Sequence, residues 1–201
     1  MKLRKNFIVI GLLLMIVGSN LFAQQPARVK IKVDSLPTAL LIIDEQEFYF
    51  PGGRLPLVNP EAASNNTAVV LKMFRNQNLP VIHIQHAGGS PIHKNVEPIP
   101  GEKVITKTEA NAFNGTNLLN YLVSLKIKRL VICGMQTQMC VEATTRAAYD
   151  LGFKCIVVED ACATRNLKYG RRTIFAIDVQ ACTYSILNKT YASIIPADGL
   201  E

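Results

Sequence analysis

The sequence predicts an α/β fold: a three-layer α/β/α single domain around a mainly parallel, Rossmann-like sheet. Three observations carry this expectation. Short apolar runs recur along the chain, each bounded by turn residues, and longer stretches with helical spacing alternate with them. The runs are nearly continuous rather than alternating, which is how strands read when helices cover both faces. With 201 residues and 49% apolar content, the chain suits one domain with a sizeable core.

The first stretch, MKLRKNFIVIGLLLMIVGSNLFAQQ, has three early cations (Lys2, Arg4, Lys5), an uncharged apolar run over residues 7–17, and then small and polar residues. That is the anatomy of a secretory signal peptide over residues 1–23, with cleavage after Ala23 and export to the periplasm or medium. After cleavage no stable membrane association is expected. An uncleaved anchor is the alternative, because residues 7–23 reach the lower edge of spanning length. Residues 24–36 are polar and irregular and read as a linker, leaving residues 37–201 as the domain.

Strands are expected at TALLIID (38–44), LPVIHIQ (79–85), RLVICG (129–134) and KCIVVED (154–160), with ASIIP (192–196) a weaker last one. The first helix, 60–77, starts from Asn59 and Pro60, a plausible N-cap followed by proline at the first helical position. A second, 116–126, carries Leu118, Leu119, Leu122 and Leu125 at helical spacing behind Thr116. The third, 138–151, lines up Val141, Thr144, Ala148 and Leu151 and stops at Gly152. A less regular final helix spans 170–188. Residues 87–104, with Gly88, Gly89, Pro91, Pro98 and Pro100 among them, read as a long loop of the kind that often binds ligands.

Composition narrows the function classes. Removing residues 1–23 takes three of the seven surplus positive charges and no acid, leaving +4. No Lys/Arg block is interleaved with aromatics, so nucleic-acid binding is not expected and a small-molecule substrate is. All five cysteines (133, 140, 155, 162, 182) fall in the last third without a CxxC pair, which disfavours zinc-ribbon and thioredoxin-like chemistry. Cys133 and Cys155 lie in apolar runs and read as small buried hydrophobes.

In a parallel sheet, ligands bind beyond the carboxyl ends of the strands. Asp44 ends the first run and Cys140 lies just past the strand that ends near Gly134. Within VICGMQTQMCVEATTRAAYDLGFK, Thr137 can cap a helix whose third position is Cys140, where free N–H groups and the helix dipole would stabilise a thiolate. A cysteine merely packed in a helix is the competing reading. Asp44 alone could be a turn former, and Lys107 alone a solvated charge.

Taken together, DEQEFYFPGG, GEKVITKTEANAFNGTNLLNYL and VICGMQTQMCVEATTRAAYDLGFKCIVVEDACAT resemble the isochorismatase-like cysteine hydrolases, which include nicotinamidases and related amidases. The likeness covers roughly residues 38–165, with the blocks in the same order. It implies a catalytic triad of Asp44, Lys107 and Cys140: the cysteine attacks a carbonyl to give a thioester, the aspartate shuttles the proton, and the lysine holds the charges. It also implies a non-proline cis peptide between Met135 and Gln136, and an oxyanion hole from the N–H groups of Gln136 and Cys140. Gln46, Phe48, Tyr49 and Phe113 resemble pocket-lining residues, and a homo-oligomer is implied as well.

Two departures matter. Nicotinamidases carry an Asp-x-His pair and a further histidine that hold a metal, whereas no histidine lies between residues 45 and 82 here. His83 and His86 sit three apart on a strand and so point to opposite faces, which makes them poor joint ligands; no metal or other cofactor is expected. Family members that open vinyl ethers often lack the cysteine, so its presence favours C–N bond hydrolysis. The alternatives are a non-catalytic binding or scaffold member of the same fold, a vinyl ether hydrolase, and a thiol-redox protein whose resolving cysteine would come from elsewhere in the fold.

Overall fold

The computed structural model describes residues 30–88 and 90–201. The expected signal peptide, and residues 24–29 of the expected linker, lie outside the described residues. Strand β1 (Thr38–Ile43) is buried at all six positions, as its unbroken apolar run requires. It lies inside a six-stranded sheet in which every neighbouring pair is parallel.

With β2 (Val81–His86), β3 (Lys103–Lys107), β4 (Arg129–Met135), β5 (Lys154–Ala163) and β8 (Ser193–Ile195), the strand order is β3-β2-β1-β4-β5-β8. A separate antiparallel hairpin pairs β6 (Leu167–Tyr169) with β7 (Arg172–Ile174). The chain leaves β1 towards one edge and returns at β4 towards the other. The crevice of a doubly wound sheet therefore opens beyond the ends of β1 and β4.

Alternation along β1 sorts the core into two layers. Leu40 and Ile42 face Val70, Leu71 and Phe74 of α1 (Pro60–Asn76), while Ala39, Leu41 and Ile43 share the opposite core. That second core contains Leu118 and Leu122 of α2 (Leu118–Ser124), Ala148 of α3 (Glu142–Asp150) and Leu187 of α4 (Ala176–Leu187). The three-layer α/β/α architecture expected from the sequence is thus the one observed.

Several expectations need correction. The loop expected over 87–104 ends on a strand, β3, whose partly exposed pattern hides it from a search for continuous apolar runs. The helix expected over 170–188 begins only at Ala176, because residues 167–174 pair as the hairpin. The part of the linker that is described is docked rather than free. Ile31 bridges to Leu200, and the N–H of Val33 donates to Glu201 O at 2.9 Å. Val33 itself is fully buried in the α1-side core and Ile31 packs against it, so two apolar side chains in a polar stretch help tie the segment down. Among the described residues, no helix is long and apolar enough to cross a membrane.

Helix ends show which local signals worked. Pro60 occupies the first helical position, although Asn59, in the left-handed region, makes no side-chain cap. Gly152 closes α3 with φ +90°, and the Phe153 N–H reaches back to Ala148 O at 3.0 Å. Gly134 is required by contact as well as by dihedral. Its φ is +124°, and a Cβ there would meet Ile43 O at 2.0 Å, because β4 presses against β1 just before the turn that carries Cys140. Gly134→Ala is therefore expected to destabilise the fold by more than about 3 kcal/mol. Urea denaturation followed by circular dichroism checks this, and an unchanged midpoint would contradict the packing.

Candidate active site

Asp44 follows β1 directly. Its N–H still donates to Ile84 O at 2.9 Å, continuing the ladder, and its φ of +52° then turns the chain out of the sheet. Aspartate tolerates this left-handed conformation better than most residues. Lys107 is the last residue of β3, two strands away on the far side of β2. Neighbouring strands lie about 4.8 Å apart, so the lysine and aspartate side chains together must cross roughly two such spacings for their groups to meet. The long lysine stem supplies most of that reach.

Cys140 arrives from the other side of the switch point. The peptide between Met135 and Gln136 is cis. Residues Thr137–Val141 then form one π-helical turn before α3 begins at Glu142, a local irregularity frequent at functional sites. Thr137 is not the expected cap. Its side chain makes no capping bond and instead accepts from Gln180 Nε2 at 3.3 Å.

The three chemical groups meet. Lys107 Nζ donates to Asp44 Oδ2 at 2.7 Å and to Cys140 Sγ at 3.3 Å. All three are buried, Asp44 and Lys107 almost completely. The second carboxylate oxygen of Asp44, Oδ1, is buried without a hydrogen-bond partner among the described residues. The Cys140 thiol nevertheless interacts with this carboxylate as a donor and favours its charged form.

The electrostatics correct the expectation of a resting thiolate. Burial pushes the Cys140 thiol up to about 12; the Asp44 carboxylate adds to this, and Lys107 only partly offsets it. Burial likewise raises Asp44 above the usual carboxylate range, against the pull of Lys107. At neutral pH the sulfur keeps its proton, next to a carboxylate unusually ready to accept one.

A cavity of about 520 Å³ opens onto Cys140. Phe48, Tyr49, Leu55 and Met139 give it apolar walls, while His86, Arg54 and Arg165 supply polar groups. Phe48 and Tyr49 thus stand where they were expected, and Tyr49 Oη accepts from Gln136 Nε2 at 3.3 Å. Gln46 does not line the cavity. It is 1% exposed and clamps the end of β2, accepting from His86 N at 2.7 Å while donating to Ser90 O at 2.7 Å. Phe113 is displaced as well, packing on the core in a stack with Phe153.

Arg54, Leu55, Met139 and Arg165 were missed by sequence reasoning. Arg54 and Arg165 follow β1 and β5 on their carboxyl side, so the strand-end rule could have found them. Of the histidines, only His86 reaches the cavity. His83 Nε2 pairs with Glu102 Oε2 at 2.8 Å, and His93 stacks on Phe50. Among the described residues, no three His, Cys, Asp or Glu side chains are grouped to hold a metal ion.

Glu45, next to Asp44, is the second buried carboxyl. Neither of its oxygens has a partner within hydrogen-bond geometry among the described residues. Burial raises it to about 7, with the hydroxyls of Thr67 and Ser64 on α1 pulling the other way.

Comparison with known proteins places the chain in a family. The family model described as the isochorismatase domain matches residues 38–186. An uncharacterized isochorismatase family protein of Bacillus subtilis (strain 168), YddQ, is 41% identical over 172 residues, covering 79% of this chain and 96% of that one. A streptothricin hydrolase of Streptomyces noursei is 34% identical, over 64% of this chain and 50% of its own. The crystal structure of an isochorismatase from Pseudomonas putida KT2440 superposes with a TM-score of 0.81 at 32% identity, covering 86% of this chain and 93% of that one.

A thiol raised to about 12 carries a small thiolate fraction at neutral pH, and that fraction grows about tenfold per pH unit below the pKa. Alkylation of Cys140 by iodoacetamide should accordingly keep rising from about pH 7 to 10 without a plateau. Peptide mass spectrometry of the Cys140 fragment measures it. A plateau near neutrality would show a resting thiolate instead.

Proposed function

The chain belongs to the isochorismatase family, and from that premise we propose that it is a cysteine-dependent hydrolase cleaving the C–N bond of a small amide through a thioester. One observation carries the proposal: a single ammonium, Lys107 Nζ, touches both the Asp44 carboxylate and the Cys140 sulfur in a buried site open to a substrate-sized cavity.

The steps follow from the protonation states. As Sγ attacks the carbonyl carbon, the S–H proton passes to Asp44 and the carbonyl oxygen becomes an oxyanion. The N–H groups of Gln136, which precedes the π-helical turn, and of Cys140 within it are proposed to hold that oxyanion. Protonated Asp44 then gives its proton to the amide nitrogen, the C–N bond breaks, and ammonia or an amine leaves a thioester on Cys140. Water attacks the thioester and loses a proton to Asp44, which returns it to sulfur as the carboxylic acid departs. Lys107 stays charged throughout and balances whichever neighbour is negative.

Amides suit this arrangement because their leaving group is poor until protonated, and a carboxyl already raised by burial is a competent proton donor to nitrogen. A carboxylate, a cation and a thiol buried together would be a costly arrangement in a scaffold that did no chemistry.

Cys140→Ala is expected to abolish amide hydrolysis while leaving the circular dichroism spectrum intact, and Asp44→Asn to lower turnover by about a thousandfold. Mass spectrometry of the wild-type protein quenched during reaction with an amide panel should find the acyl group on Cys140. Turnover retained in Cys140→Ala would remove the covalent route.

A further inference from the structure

The charge of the cavity narrows what can enter it. Asp44 and Lys107 cancel each other, and Cys140 rests as a neutral thiol, so the reacting groups contribute no net charge. The remaining lining includes no acidic residue, yet it includes Arg54 and Arg165. Among the described residues neither guanidinium takes part in an ion pair.

Arg54 is exposed and lies over the Phe48 ring, 5.0 Å from its centroid. Arg165 is half-buried, and its Nε donates to Gln136 Oε1 at 3.4 Å. A guanidinium has five N–H donors in a planar fork, so Arg165 keeps its terminal pairs for another acceptor. Gln136 is also the residue whose own N–H is assigned to the oxyanion. The anchor of this fork is thereby tied directly to the reacting centre. The surroundings extend the same sign: Lys168, Arg171 and Arg172 are exposed on the hairpin that follows, and no acidic residue occurs from 161 to 177.

We propose that the substrate is a small amide that also carries an oxyanion group of carboxylate type, gripped by Arg54 and Arg165 while its carbonyl faces Cys140. This rests on the hydrolase reading above and adds the substrate class to it. Guanidinium forks outside any ion pair bind carboxylates in paired hydrogen bonds, and a cavity lined by one sign of charge draws in its counter-ion. The apolar walls from Phe48, Leu55 and Met139 would cover the carbon skeleton between the two ends.

The test compares alkylation of Cys140 by iodoacetate and by iodoacetamide, reagents of similar size that differ by one negative charge. Exposed Cys182 in the same chain serves as reference in the peptide mass spectrum. The iodoacetate-to-iodoacetamide rate ratio at Cys140 is expected to exceed that at Cys182 by about tenfold at low salt. It should shrink as salt screens the field, and approach the Cys182 value in the Arg54→Gln, Arg165→Gln double variant. Equal ratios at the two cysteines, or a ratio unmoved by the double substitution, would overturn the proposal.

A second arm offers succinamic and glutaramic acids beside the neutral butyramide and valeramide and follows acylation of Cys140 with release of ammonia. Faster acylation by the acids supports the assignment; equal or faster acylation by the neutral amides overturns it and leaves the hydrolase reading standing. An anion preference at Cys140 with no acyl adduct from any of these amides, or from the broader panel, would instead remove the hydrolase reading and the substrate class with it.

Discussion

The buried contact between Lys107 and Asp44 is the constraint around which the rest is arranged. Each charge would be costly alone in a water-poor site, and removing one partner of such a pair typically costs about 3–5 kcal/mol. The pair forms only if β3, β2 and β1 lie side by side in that order with their carboxyl ends level. The parallel register between Ile84 and Ile105, and between Ile43 and Ile84, provides that. The same ammonium then fixes where the sulfur sits, so sheet register and the position of the proposed nucleophile are one problem rather than two.

Much of this was legible in the sequence. Four of the central strands announced themselves because burial on both faces demands unbroken apolar runs, and the rule that chemistry gathers at strand ends picked out Asp44 and Cys140. What was not legible has physical causes. Strand β3 lies at a sheet edge with three of its five positions at least partly exposed, so VITK carries too little apolar signal. The hairpin over 167–174 is exposed almost throughout and leaves no core pattern to read.

The misplacements within the site have a common origin. Gln46, three residues beyond β1, looked like a pocket residue, yet β1 and β2 diverge there and their backbone groups need partners. A glutamine amide, which donates and accepts at once, fills that gap between them. Phe113 fell to packing, since a ring beside Phe153 gains more from the core than from a solvent-filled cleft. The thiol was misjudged because the helix-dipole argument treats position and leaves out desolvation, and at Cys140 desolvation is the larger effect.

Glu45 has an effect that reaches beyond catalysis. In an unfolded chain its carboxyl would titrate near 4.5, whereas the folded interior holds the proton until about 7. Folding therefore takes up a proton between those values: the stabilisation is complete below the lower one and disappears as pH climbs through the upper one. The side chain next to Asp44 thus biases the whole polypeptide towards mildly acidic surroundings, making conformational persistence sensitive to acidity in its own right.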